Sequence, residues 1–225
     1  MASVTINVGN YGRWQGIVDQ VGQSQSGNYS NVRVRGVMTN ISPYGTASNN
    51  YGVGRSISGT NSWSGTGTFT VSAGTSLTFI DQTFRVNHNS DGTRQVAYVI
   101  TLGSTGTSTF GNGGSVTVSL SLTRIPKKPS PPGKPSFSNA LPTSVTVSWA
   151  ASSNNGGSSI DHYLLRYWPN AAGTGSYIDH SKANNRSRTV TGLTPGQTYR
   201  FVVYAHNRSA DNNGYSNPSS ANAIQ

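Results

Sequence analysis

Five of the chain's ten prolines and three of its four lysines fall in one run, Pro126-Lys127-Lys128-Pro129-Ser130-Pro131-Pro132-Gly133-Lys134-Pro135. Proline locks φ and offers no N–H to a ladder, so this run is excluded from a central strand or a helix interior and should be extended. At ~3.1 Å per residue it would hold two bodies ~30 Å apart. It reads as a semi-rigid linker over residues 126–135, dividing a first domain (residues 1–125) from a second (136–225). Each has the usual size of one folding unit.

Outside that run the chain is poor in helix formers. It has no glutamate, and Gly, Ser, Thr, Asn and Val dominate. Long helices are not expected. An apolar share of 33% is enough for a β-protein, in which every second residue points inward. Sixteen basic residues against six aspartates give a net charge of +10. They are scattered: seven Arg against three Asp over residues 1–125, and five Arg with one Lys against three Asp over 136–225. A nucleic-acid partner would call for a stripe or cluster, so none is expected. The charge reads instead as long-range attraction to anionic surfaces such as bacterial envelope polymers, fading as salt rises. With no cysteine, disulfides, thiol catalysis and thiolate metal sites are excluded together. Met1 to Asn7 lack the pattern of an export leader, and no apolar run approaches the ~20 residues of a membrane span. The chain is therefore expected to be made in a cytosol and to cross no membrane.

Short alternating runs separated by turn residues recur through the first domain: Ser3 to Val8, Trp14 to Val21, Asn31 to Thr39, Val53 to Ile57, Gly67 to Ser72, Ser76 to Ile80, Thr83 to His88, Gln95 to Leu102 and Ser115 to Thr123. That spacing predicts an all-β sandwich or barrel. Phe84 to Leu102 reads as a hairpin turning at Asn89-Ser90-Asp91-Gly92. Ser90, His88 and Asp91 look like a catalytic trio, but three residues of one turn do not readily converge as nucleophile, base and orienter. Turn chemistry with a hydrogen-bonded histidine is the expected role.

Three segments of this domain carry a resemblance: Gln23 to Val32 before a strand, Thr83 to Thr93 with His88 and Asp91-Gly92, and the exit Leu122-Thr123-Arg124-Ile125-Pro126. Together they resemble the minor tail proteins of long-tailed bacteriophages. The resemblance implies a structural component of a virion.

In the second domain Val145, Val147 and Trp149 alternate inward, Asn154 to Gly157 turn, and Tyr163 to Tyr167 alternate again. Tyr199, Phe201, Val203 and Ala205 then share one parity. About seven short strands in ~90 residues is the size of an immunoglobulin-like sandwich. From about Pro131 to Ile224 these residues resemble a fibronectin type III domain. Trp149 stands for its core tryptophan, Tyr163, Leu165 and Tyr167 for its Tyr-x-apolar-x-Tyr strand, and Leu193, Pro195, Gly196 and Tyr199 for its Leu-x-Pro-Gly-x-x-Tyr corner. Asn207, Gly214, Ser216, Pro218 and Ser219 fit its close. The segment Asn207 to Gly214 departs by looking a few residues long, and the Arg-Gly-Asp tripeptide of integrin-binding members is missing. Trp149, Tyr163, Leu193, Tyr199 and Phe201 are accordingly expected in the core.

No catalytic constellation is apparent. A glycosidase needs two facing carboxylates, and several of the six aspartates have turn explanations. Asp161-His162 and Asp179-His180 repeat a dipeptide, but neighbours on a regular strand point to opposite faces and should not hold one ion. His162 and His180 pairing across strands is weighed against ordinary surface histidines, which is the expectation. No enzyme activity, cofactor or metal is expected. Among the tryptophans, Trp63, Trp14 and Trp168 suit a loop position better than Trp149 does. Trp63, in a polar Gly-bounded stretch, either stacks on a sugar or, preferably, plugs the end of its own sandwich. Arg208, Asp211, Asn212, Asn213 and Tyr215 form a candidate surface contact.

The resemblances imply a minor tail, tail-tip or fibre component whose fibronectin-like domain spaces or weakly binds a host surface. Its partners would be copies of itself, a trimer by analogy with phage fibres, other phage structural proteins, and a host cell-surface glycan. It would reside in the virion. The alternatives are a capsid decoration protein and a carbohydrate-binding accessory module of a bacterial surface enzyme.

Overall fold

A computed structural model of the chain separates by its contacts into two units, Met1–Thr123 and Arg124–Gln225. It describes residues 1–44, 46–105, 110–170, 176–182 and 185–225, and of residues 46–53, 68, 69 and 176–182 the backbone alone. Both units are β-sandwiches. Among the described residues one 3-10 turn, Asp211–Gly214, is the sole helical piece.

The first unit contains β1 (Ala2–Val8), β2 (Gly12–Ser24), β3 (Tyr29–Asn40), β4 (Thr46–Gly59), β5 (Trp63–Ser72), β6 (Ser76–Asn87), β7 (Gln95–Leu102) and β8 (Gly114–Ser121). They form two antiparallel sheets in the orders β1-β2-β3-β6 and β5-β4-β7-β8. The inward parities meet in one core. Val32, Val34 and Met38 of β3 face Val96, Tyr98, Ile100 and Leu102 of β7, and all are buried. Trp14, which had suited a loop position, is fully buried in this core. Its ring lies over Gly36, the ladder partner of Gly16, where an added Cβ would run into the indole.

Two expectations are corrected here. Ser76 to Ile80 and Thr83 to His88 are parts of one strand, β6. Phe84 to Leu102 is not a hairpin, because β6 pairs with β3 whereas β7 pairs with β4 and β8. The Asn89–Thr93 turn is tight, with the Asn89 amide bonding the Thr93 carbonyl at 2.9 Å. Yet residues 88–94 carry the chain from one sheet to the other across a spacing of ~10 Å. Phe84 and Tyr98 consequently stack across the core, ring centroids 5.9 Å apart, in place of lying side by side in a ladder.

Tyr98 also yields a pH prediction. Its hydroxyl donates to Asn61 Oδ1 at 2.9 Å, and burial pushes its pKa up to about 12 against a weak opposing pull from Arg94. An unfolded tyrosine ionises near ~10, so the unfolded chain loses this proton first. The contribution is complete below about pH 10 and is lost as pH rises toward 12. Tyr98→Phe is expected to flatten that alkaline limb while costing about 1 kcal/mol at neutral pH. Urea melts of the first unit from pH 8 to 12 check this, and an unchanged limb in the variant counts against it.

The second unit contains β9 (Ser136–Leu141), β10 (Ser144–Ser148), β11 (Ile160–Pro169), β12 (Ser176–Lys182), β13 (Ser187–Thr191), β14 (Tyr199–Asn207) and β15 (Asn222–Ile224). Sheets of order β13-β10-β9 and β12-β11-β14-β15 enclose Val145, Val147, Trp149, Tyr163, Leu165, Leu193, Tyr199, Phe201 and Val203. Trp149 meets Tyr163 edge to face at 5.9 Å. Tyr199 accepts a hydrogen bond from the Thr194 amide at 3.1 Å, fixing the corner.

The proline run is not a separate strut. It lies along the second unit, with Pro129, Pro132 and Pro135 buried. The amides of Lys127, Ser130 and Gly133 donate to the carbonyls of Gly156, Asn154 and Ala150 at 2.8, 2.8 and 3.0 Å. Proline lacks its own donor, but the residues between prolines keep theirs, and those amides make the edge contacts.

Candidate functional site

Alternation along β14 sends Tyr199, Phe201, Val203 and Ala205 inward, which leaves His206 on the outer face. Along β11, Tyr163 and Leu165 point inward and His162 outward. The β11–β14 register sets His162 opposite His206. A register shift between Ile160 and His162 marks a bulge, where the ladder gains one residue and re-aims its side chains. The bulge brings Asp161 to the same side as His162. The expectation that these neighbours point apart holds for a regular strand and is corrected here.

Asp161 Oδ1 lies 2.8 Å from His162 Nδ1 and 2.6 Å from His206 Nδ1. The two imidazoles stack with centroids 4.3 Å apart, and the Tyr215 ring closes one side at 4.5 Å from His206. His206 Nε2 donates to the Asn213 carbonyl (3.1 Å), and His162 Nε2 lies 3.2 Å from the Tyr215 hydroxyl. The side chains of Asp161, His162 and His206 are 33%, 22% and 19% exposed, open to solute on one side. Burial works to raise the Asp161 pKa, but the hydrogen bond and charge of His206, joined by those of His162, outweigh it and hold the carboxyl below its ordinary value.

The wall of this cluster is the turn Asp211–Gly214, in which Asn212, Asn213 and Gly214 all have positive φ. Asparagine tolerates that region and glycine favours it. At Gly214 (φ 81°) a Cβ would collide with the Asn207 carbonyl and sit 2.8 Å from His206 Nε2. Gly214→Ala is expected to destabilise the second unit by about 3 kcal/mol or more. A thermal melt checks it, and a loss below about 1 kcal/mol would show that the turn relaxes freely.

The sequence-derived surface contact lies on this turn. Arg208, Asp211, Asn212 and Asn213 are exposed and Tyr215 is half-buried. The Lys128 amide donates to Asp211 Oδ2 at 3.3 Å, and Asn212 Nδ2 donates to the Tyr215 carbonyl at 2.7 Å. His180 pairs in register with Leu164 and not with His162; its side chain, like that of Asp179, lies outside the described residues. His206 was missed because only the β11–β14 register brings it to His162. Its outward parity in Tyr199 to Asn207 was the available signal.

In the first unit, Trp63 is half-buried against the core, with Arg55 5.8 Å over its ring. The Ser90, His88, Asp91 trio does not form. His88 Nδ1 donates to the Gly92 carbonyl (2.8 Å), its Nε2 accepts from Ser30 Oγ (2.8 Å), and Asp91 Oδ1 accepts from Thr93. Gln20 extends this line, with Nε2 donating to Ser30 Oγ (3.0 Å) and Oε1 accepting from the Thr123 amide (2.8 Å). One hydrogen-bonded chain thus runs through the segments Gln23 to Val32, Thr83 to Thr93 and Leu122 to Pro126.

Among curated proteins, the chain is 32% identical to a titin homolog of Caenorhabditis elegans over 84 residues, 37% of this chain and, to the nearest per cent, 0% of that protein. It is 30% identical to smooth-muscle myosin light chain kinase of Gallus gallus over 111 residues, 49% of this chain and 6% of the kinase. Among solved structures, titin module A71 from human cardiac muscle is 31% identical with a TM-score of 0.38, covering 44% of this chain and 92% of the module. The chain thus spans a few per cent or less of the curated relatives. Residues 130–222 match the family itself, and with Trp149, the Leu193–Tyr199 corner and the two-sheet core in place, this part of the chain is a fibronectin type III domain.

Proposed function

We propose that the chain is a virion structural protein, a minor tail, tail-tip or fibre component of a long-tailed bacteriophage, in which the fibronectin type III unit spaces or weakly attaches the particle to its host. The observation that carries this reading is the hydrogen-bonded line from Thr123 through Gln20 and Ser30 to His88 and Gly92. The three segments that together resemble phage tail proteins are neighbours in this fold, which supports reading them as one structural corner. A role without catalysis accords with His88, whose two ring nitrogens both serve that corner. Dispersed charge accords with it too, since Arg33 pairs with Asp81 and Arg35 with Asp19.

Gold-labelled antibody against the purified chain, applied to tailed particles from the strain carrying its coding sequence, tests the proposal. Label at the tail or its tip is the expected result. Label on the capsid shell would make it a decoration protein, and particles without the chain would overturn the virion assignment. Light scattering of the purified chain is expected to give a closed oligomer, a trimer by the same analogy. A second reading, one module of a large multidomain protein, is favoured by the matches to the titin homolog and the kinase. It predicts a monomer and no particle label.

A further inference from the structure

The ligand atoms of Asp161, His162 and His206 all lie within 4.8 Å of one another on the outer face of the second unit. We propose that Asp161 Oδ1, His162 Nδ1 and His206 Nδ1 form a mononuclear site for a divalent transition-metal ion, best matched to zinc, whose remaining positions are open to water or to a donor from a partner.

Hydrogen-bond accounting supports the assignment. The Asn213 carbonyl only accepts, so His206 Nε2 must carry a proton. Its Nδ1 lies 2.6 Å from Asp161 Oδ1, the same oxygen that His162 Nδ1 approaches at 2.8 Å. Two imidazole nitrogens and one carboxylate oxygen therefore converge on one spot. A metal ion there engages all three together, where a ring proton serves one contact. The donor set of two imidazoles and one carboxylate suits zinc and its neighbours in the first transition row better than calcium or magnesium, which prefer all-oxygen cages.

The surrounding shell also fits. Metal-bound histidines hold their other ring nitrogen on a carbonyl, carboxylate or water. Here His206 has the Asn213 carbonyl, and His162 has the Tyr215 hydroxyl. The Asn213 carbonyl is presented by a turn of left-handed residues ending at Gly214, which cannot carry a Cβ without meeting the Asn207 carbonyl. Tetrahedral ligation at ~2.0–2.2 Å separates donors by ~3.3 Å. The present 2.6 and 2.8 Å therefore open by about 0.6 Å on binding, and the two imidazoles, now stacked with centroids 4.3 Å apart, tilt so that both ring planes meet the ion, a movement within reach of three partly exposed side chains.

The tag-free full chain, stripped with chelator and titrated with ZnCl2 in a calorimeter, tests the site. One ion per chain is expected. At a zinc concentration one hundred times the dissociation constant, melting of the second unit should rise by about 10 °C. Asp161→Asn and His206→Ala should each weaken zinc at least about tenfold, with circular dichroism confirming that the variants fold. Cobalt(II) in place of zinc should give visible absorption bands in the wild-type chain. If a variant does not fold, those bands decide: their presence supports the site and their absence overturns it. Wild-type chain that binds no zinc, or variants that bind it as tightly as wild type, also overturn it.

Discussion

Trp14→Ala is expected to lower the stability of the first unit by about 4 kcal/mol, the middle of the range for a truncated buried aromatic. Three losses combine. The indole is fully buried between the sheets, and deleting it leaves a cavity that Gly36 cannot fill. Trp14 Nε1 donates to the Ile100 carbonyl at 3.2 Å, a bond from β2 to β7 that links the two sheets directly. That inter-sheet bond is lost, while the ladder pairing of Ile100 with β4 and β8 remains. Trp14→Phe keeps much of the volume but not the donor, and should cost about half as much. Calorimetry of the full chain reads the effect as a fall of about 15 °C in the first unit's transition, with the second unmoved. A fall of less than about 4 °C would mean that the core closes over the gap.

Asn207→Ala is expected to cost the second unit about 3 kcal/mol. Asn207 is fully buried at the end of β14. Its amide donates to the carbonyls of Lys127 (2.8 Å) and Asn155 (2.7 Å), and its Oδ1 accepts from the Ser209 amide (3.0 Å). One side chain thus ties together the proline run, the turn before β11 and the turn that walls the Asp161 cluster. Truncation takes the partner from three backbone groups, of which the Ser209 amide is buried. The Lys127 amide, bonded to the Gly156 carbonyl, should then exchange its hydrogen faster by one or more orders of magnitude. Unaltered exchange at Lys127, or a stability loss under about 1 kcal/mol, would show that the proline run docks without this anchor. Asn207→Asp should be at least as harmful, because a carboxylate would face two carbonyls in place of donating to them.

Much of the architecture was legible because alternation is a local property. Val145, Val147 and Trp149, or Val96, Tyr98, Ile100 and Leu102, declare their inward face from spacing alone, and each is buried. The corner at Leu193 to Tyr199 was equally plain, since Gly196 takes a positive φ within a short recognisable string. Strand partnership was not legible in the same way. Asn89 to Gly92 carries every mark of a hairpin turn, but whether the next strand pairs or crosses depends on which ladder has a free edge. Here β6 lies beside β3, and β7 lies between β4 and β8.

The candidate site divides along the same line. His162 and His206 are each outward by parity, yet 44 residues separate them in the chain, and only the register of β11 on β14 sets them face to face. The proline run follows this rule as well: its composition dictated extended backbone, and its docking rests on bonds to Gly156, Asn154, Ala150 and the side chain of Asn207, all distant in sequence. What the sequence by itself determined was therefore the class of each segment, its inward face and the turns that accept positive φ, because those depend on neighbours along the chain. Which strands became partners, where the bulge at Asp161 turned a carboxylate beside two imidazoles, and what the prolines packed on were decided by tertiary structure, because hydrogen-bond partners and cavities come from residues distant in sequence.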